Sequence, residues 1–127
     1  MRQEERAVVV DANIERVVSR LFAISTPLPQ AKPEITALMD SITPDQRSGD
    51  FAQAMMDLGA GICSVKAPAC SSCPLKGSCQ AFQAGNPEAY PVKLPKKARP
   101  ARSGTAYWIE RGGKVWLVRR KDSGMLA

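Results

Sequence analysis

The sequence predicts a mostly α-helical unit, followed by a basic proline-rich linker and a short β-prone tail. Three observations carry this. Apolar residues recur at helical spacing in three successive segments before residue 63. All four cysteines fall within the seventeen residues from Cys63 to Cys79. Beyond residue 84 the helical period disappears and prolines and lysines take over.

The first helix is read from Ile14, Val17, Val18, Leu21 and Phe22, which form one apolar face. Pro27 and Pro29 are expected to close it. Asp11 stands at its start, a favoured N-cap position for which Asn13 competes. Backbone N–H groups and the helix dipole favour a carboxylate there, so Asp11 is both a structural cap and a candidate for stabilising a developing positive charge. A second helix opens at Pro33 and carries Ile35, Leu38, Met39 and Ile42 on one face, ending at Thr43-Pro44. In the third, Asp50 and Gln53 read as a capping box before a stripe of Phe51, Ala54, Met55, Leu58 and Ile62. Asp57 has no evident partner in the sequence. Gly59 and Gly61 weaken the end of this helix but permit close approach to a neighbour.

The third helix runs directly into Cys63. The spacing C-x6-C-x2-C-x5-C brings four thiols into one short loop. Two disulfides suit a secreted mini-domain, and nothing in the sequence resembles a signal peptide. Zinc sites usually show two close cysteine pairs or a mixture with histidine; here there is one close pair and no histidine. The wide spans suit an iron–sulfur cluster held by Cys63, Cys70, Cys73 and Cys79. The cluster reading stands ahead of zinc, with disulfides third.

The chain has 127 residues and a formal net charge of +6. Residues 1–62 carry a net −3 and residues 63–127 a net +9. A basic half beside an acidic one fits nucleic-acid binding, though a solvated basic surface fits the charge equally well. No apolar run approaches the roughly 18 residues needed to span a membrane.

From Gly85 to Arg102, four prolines punctuate a basic run that includes Lys93, Lys96, Lys97, Arg99 and Arg102, and this reads as an extended linker. Thr105, Tyr107 and Ile109, then Val115, Trp116, Leu117 and Val118, flank Gly112-Gly113 and read as a β-hairpin. The domain boundaries are placed at 1–84, 85–103 and 104–127.

The cysteine spacing behind M-M-D-L-G-A-G-I-C resembles the 4Fe-4S loop of the helix-hairpin-helix DNA glycosylases, a superfamily that includes endonuclease III and MutY. V-V-D-A-N-I-E-R-V-V-S-R-L resembles the turn and helix bearing that superfamily's catalytic Asp. Asn13 matches the MutY-type motif, close to V-D-G-N-V-x-R-V, with Ala12 a mild departure from its glycine. Endonuclease III-type enzymes have a Thr-His pair instead. Arg119 to Leu126 resembles the opening of the Nudix-like domain that follows the linker in MutY.

The resemblance implies the C-terminal part of a helix-hairpin-helix glycosylase domain, a linker and the first hairpin of a Nudix-like domain. It implies Asp11 as catalytic carboxylate with Asn13 its polar neighbour, a 4Fe-4S cluster on the four cysteines, and Lys66 contacting DNA phosphates. The activity implied is removal of adenine opposite 8-oxoguanine or guanine in base-excision repair, by a monomer acting on double-stranded DNA in the bacterial cytoplasm. No L-P-G-V-G-like hairpin precedes Val8, so the chain reads as an internal piece whose general-acid Glu lies elsewhere, inactive by itself. An endonuclease III-like pyrimidine glycosylase/lyase is the alternative within the enzyme class. A non-catalytic iron–sulfur DNA-binding fragment is the alternative outside it.

Overall fold

The computed structural model describes residues 5–120, in two compact units that divide between Lys96 and Lys97. The first is helical, with α1 (Ala12–Leu21), α2 (Lys32–Ile42), α3 (Ser48–Gly61) and the single-turn α4 (Gln80–Gln83). Helix α1 is its hub, packing against α2, α3 and α4.

Asp11 caps α1, its Oδ1 accepting from Ile14 N at 2.7 Å. The apolar stripe read from the sequence is buried: Ile14, Val17 and Val18 meet Ile35 and Met39 of α2 and Met55 of α3 in one core. Burying side chains of this size stabilises the unit by about 1.5–3 kcal/mol each. The end of α1 differs from expectation. It stops at Leu21, well before Pro27, because Ala23 takes a left-handed conformation (φ 47°). Ala23 N then donates to Arg20 O and Ile24 N to Ser19 O, a Schellman turn in which alanine occupies the place usually held by glycine.

Helix α2 follows its expected face, with Ile35 and Met39 buried and Leu38 and Ile42 partly so. Helix α3 departs from expectation at its start. It begins at Ser48 behind a left-handed Arg47 (φ 58°), so Asp50 lies within the first turn and is not the cap. The capping box does not form, because both side chains find other partners. Arg47 Nε donates to Asp50 Oδ2 at 2.8 Å, and Gln53 Nε2 donates to Asp57 Oδ1 at 2.9 Å. Asp57 therefore has a partner one turn back. The buried stripe is Ala52, Met55 and Gly59, with Ala54 turned outward.

The N-terminal residues carry more structure than their composition signals. Arg6 bridges Asp40 (2.6 Å) and Asp45 (3.2 Å) and donates to the carbonyl oxygens of Asp40 and Thr43 at the end of α2. At the other end, residues 87–93 are held to the helical unit, although the sequence reads them as the start of a linker. Pro87–Ala89 forms a 3₁₀ turn, Leu28 N donates to Val92 O at 2.8 Å, and Leu28 and Lys93 form a parallel bridge. These backbone pairings have no side-chain period to announce them.

The second unit contains an antiparallel hairpin, β1 (Glu110–Arg111) paired with β2 (Lys114–Val115), with Glu110 opposite Val115 and Arg111 opposite Lys114. Trp116 N adds one bond to Ile109 O. Gly112 (φ 60°) and Gly113 (φ 71°) supply the two left-handed residues that a tight hairpin turn requires. The strands are shorter than the β-prone runs around them, and among the described residues Tyr107, Trp108, Trp116 and Leu117 stay exposed on the two-stranded ribbon. The residues compared with a Nudix-like opening lie mostly beyond residue 120, outside the described residues.

Candidate functional site

Two groups of residues meet along one flank of α1. The first surrounds its start. Asp11 is half-buried and committed to the cap. Asn13, two residues on, turns its Oδ1 to Arg16 Nη2 (3.0 Å). Arg16 also donates from Nη2 to Gly59 O and from Nε to Cys63 O at 2.7 Å. Asn13 is thus fixed between its own helix and the end of α3. Its contact with α3 is close enough that only glycine fits at position 59.

The second group is the cysteine loop. Cys63 is delivered by the last turn of α3, its N–H donating to Leu58 O at 2.8 Å. Cys70 opens a short 3₁₀ turn, Cys73 closes it, and Cys79 stands before α4. All four are free thiols, half-buried, and line one pocket with Arg20, Ile62, Lys76, Phe82 and Pro87. The disulfide reading is therefore not the state of this structure. Among the described residues, no group of three or more His, Cys, Asp or Glu side chains is arranged to hold a metal ion. Burial pushes the Cys70 thiol above its ordinary range. The neighbouring Cys63, Cys79 and Cys73 push it further, and Arg20 opposes them. Four free thiols lining one pocket are a donor set that could hold an iron–sulfur cluster.

Arg16 joins the two groups, and Arg20, one turn further along α1, binds the cysteine loop. Arg20 is the more deeply buried of the two. It is 2% exposed, the largest fully buried side chain described. Its Nη1 donates to Cys63 Sγ (3.3 Å) and Ser64 O (2.6 Å), its Nη2 to Val65 O (3.0 Å) and its Nε to Tyr90 O (3.0 Å). A buried guanidinium is tolerated because its donors are satisfied in this way. Neither Arg16 nor Arg20 stands out from composition. Their signal is positional: Asn13, Arg16 and Arg20 fall at i, i+3 and i+7, on one flank beside the apolar stripe.

Lys66 lies in the span between Cys63 and Cys70 and is exposed. Ser64 Oγ donates to its carbonyl oxygen at 2.9 Å. The next residue, Ala67, is left-handed (φ 46°) and donates its N–H to Glu88 Oε1 at 2.6 Å. The backbone of this span is thus held at several points while the Lys66 side chain stays in solvent.

An Asp-capped helix whose flank braces a four-cysteine loop is the class of arrangement these residues define. No protein-family model matches the chain. Individual proteins do. Over 143 aligned residues the chain is 35% identical to an adenine DNA glycosylase of Arabidopsis thaliana, covering 97% of this chain and 22% of that protein. The adenine DNA glycosylase of Buchnera aphidicola from Acyrthosiphon pisum is 35% identical over 90% of this chain and 33% of its own length. The human one is 40% identical over 59% of this chain and 14% of its own length. The resemblance to adenine DNA glycosylases is thereby borne out, and the chain spans about a third or less of each relative named here.

Proposed function

We propose that this chain is the Asp-bearing and iron–sulfur portion of an adenine DNA glycosylase, which removes adenine paired with 8-oxoguanine or guanine and so starts base-excision repair. The observation that carries the reading is that α1 bears the capped Asp11 at its start and, through Arg16 and Arg20, holds the cysteine loop. Similarity to relatives named adenine DNA glycosylase supports it and favours it over the endonuclease III-like alternative.

In this reading the target adenine is extruded from the duplex. Cleavage of its glycosidic bond needs protonation of the departing base and negative charge near the sugar. Asp11 supplies the second. Its cap to Ile14 N fixes the carboxylate against a rigid helix, so the charge is oriented before the reaction begins. Asn13, locked by Arg16 and Gly59, is the polar neighbour that keeps its place in the site. No residue of this chain is assigned as the general acid.

Cys63, Cys70, Cys73 and Cys79 hold the 4Fe-4S cluster, which braces a loop with little apolar surface of its own. Lys66 contacts DNA phosphates from that loop, and the run from Lys93 to Arg102 adds charge along the backbone. The glycosylase is read as the C-terminal part of a helix-hairpin-helix domain, and the hairpin as the opening of a Nudix-like domain that helps recognise 8-oxoguanine. It is read as a monomer working at the bacterial nucleoid. No helix among the described residues is long and apolar enough to cross a membrane.

A single-turnover assay tests this, with the chain joined to the N-terminal half of a bacterial relative and a labelled duplex carrying adenine opposite 8-oxoguanine. Release of adenine that is lost on Asp11→Asn is the expected result. Release of oxidised pyrimidines with strand cleavage, in place of adenine, transfers the assignment to the endonuclease III-like reading.

A further inference from the structure

We propose that Arg20 is a positioning residue for the four-cysteine loop that also sets the reduction potential of the cluster, an inference that rests on the iron–sulfur reading above. The observations are local. Arg20 is buried in the middle of the unit, and its guanidinium donates to Cys63 Sγ as well as to the carbonyl oxygens of Ser64, Val65 and Tyr90. Its own carbonyl oxygen accepts from Cys79 Sγ at 3.5 Å. One residue therefore touches the first and last cysteines of the loop and two carbonyl groups of the span between the first two. The other cation lining the pocket, Lys76, is exposed and donates to Ser71 O at 3.1 Å.

A donor and a full positive charge beside a ligating sulfur draw electron density away from it. The more electron-rich state of the cluster is then favoured and the potential rises. The effect is undiluted by solvent, because the guanidinium is buried and held by fixed carbonyls. Anchoring the loop through the carbonyl oxygens of Ser64 and Val65 would by itself change how firmly the cluster is retained, but not its potential. The potential is what separates tuning from support.

The test uses the 127-residue chain loaded anaerobically with ferrous iron and sulfide, as wild type, Arg20→Gln and Arg20→Lys. Iron and sulfide are counted, the loss of visible absorbance in air is timed, and the potential is read by film voltammetry. The expected result is a more negative potential and faster loss in Arg20→Gln. Arg20→Lys, which keeps the charge but not the planar fork, falls between it and wild type. If Arg20→Gln retains no cluster, Arg20→Lys decides: a negative shift supports the proposal and an unchanged potential overturns it. Loaded wild type and Arg20→Gln with the same potential overturn the role of Arg20 alone. A wild-type chain that takes up no iron and sulfide overturns the cluster reading as well.

Discussion

Gly59 lies against Asn13 so closely that a Cβ added at position 59 would stand 2.8 Å from Asn13 Cβ and 3.0 Å from its carbonyl oxygen. The backbone of α3 thus meets the first turn of α1 with no room for a methyl group. Gly59→Ala is expected to destabilise the helical unit by about 1–3 kcal/mol, since the clash is with main chain and a short side-chain stem. Gly61→Ala, with nothing within 4 Å of its added Cβ, is the control. It is expected to change stability by no more than about 1 kcal/mol, in the stabilising direction. Urea denaturation of the two variants checks the contrast.

Asp11 has a structural task that must be separated from its chemical one. Asp11→Ala removes the acceptor for Ile14 N and is expected to cost about 1 kcal/mol. Asn is as good a cap as Asp, so Asp11→Asn is expected to leave thermal stability nearly unchanged while removing the charge. If Asp11→Asn melts like Asp11→Ala, loss of activity in that variant cannot be assigned to the carboxylate.

Arg6 joins exposed carboxylates to buried geometry. Asp40 and Asp45 are 56% and 95% exposed in their side chains, so their ion pairs contribute little in salt. The bonds to the carbonyl oxygens of Asp40 and Thr43 satisfy the end of α2. Arg6→Ala is expected to cost about 0.5–1 kcal/mol, with only a part of that loss screened when denaturation is repeated at 1 M salt.

The cysteine loop has little apolar packing to hold it. Anaerobically purified protein is expected to carry about four irons and four sulfides per chain, with broad visible absorption. Cys70→Ser or Cys73→Ser is expected to lose both and to loosen the adjoining end of α3, read as faster amide exchange at Leu58 to Cys63. Stoichiometric zinc without sulfide contradicts the prediction.

Lys66 is expected to act on phosphate and not on bases. Lys66→Ala is predicted to weaken binding to every duplex by the same factor, lowering the slope of log affinity against log salt by about 1. Titrations with matched, adenine–guanine and adenine–8-oxoguanine duplexes decide it. Weakening confined to the 8-oxoguanine duplex sinks the phosphate assignment.

The sequence by itself determined what depends on local spacing. The α1 stripe is legible because buried apolar residues must repeat with the helix, and the Asp11 cap because a helix start leaves N–H groups that a short acidic side chain can reach. The cysteine loop is legible because four thiols within a span of seventeen residues can hardly avoid one another. The Gly112-Gly113 turn is legible because two left-handed residues are needed there.

Tertiary structure decided what depends on which neighbour arrives. Helical spacing places Arg20 on one flank of α1 but does not make it buried while Arg47 stays exposed; the carbonyls of Ser64, Val65 and Tyr90 do so, from more than forty positions away. The start of α3 moved to Ser48 because Asp50 and Gln53 had competing partners of their own. Residues 87–93 left the linker because Val92 O met Leu28 N, a backbone pairing that no side-chain pattern encodes. Periodicity reports which face of a helix avoids water. Which polar groups replace that water is settled only when distant segments come together, since a buried donor takes whatever acceptor the packing brings within reach.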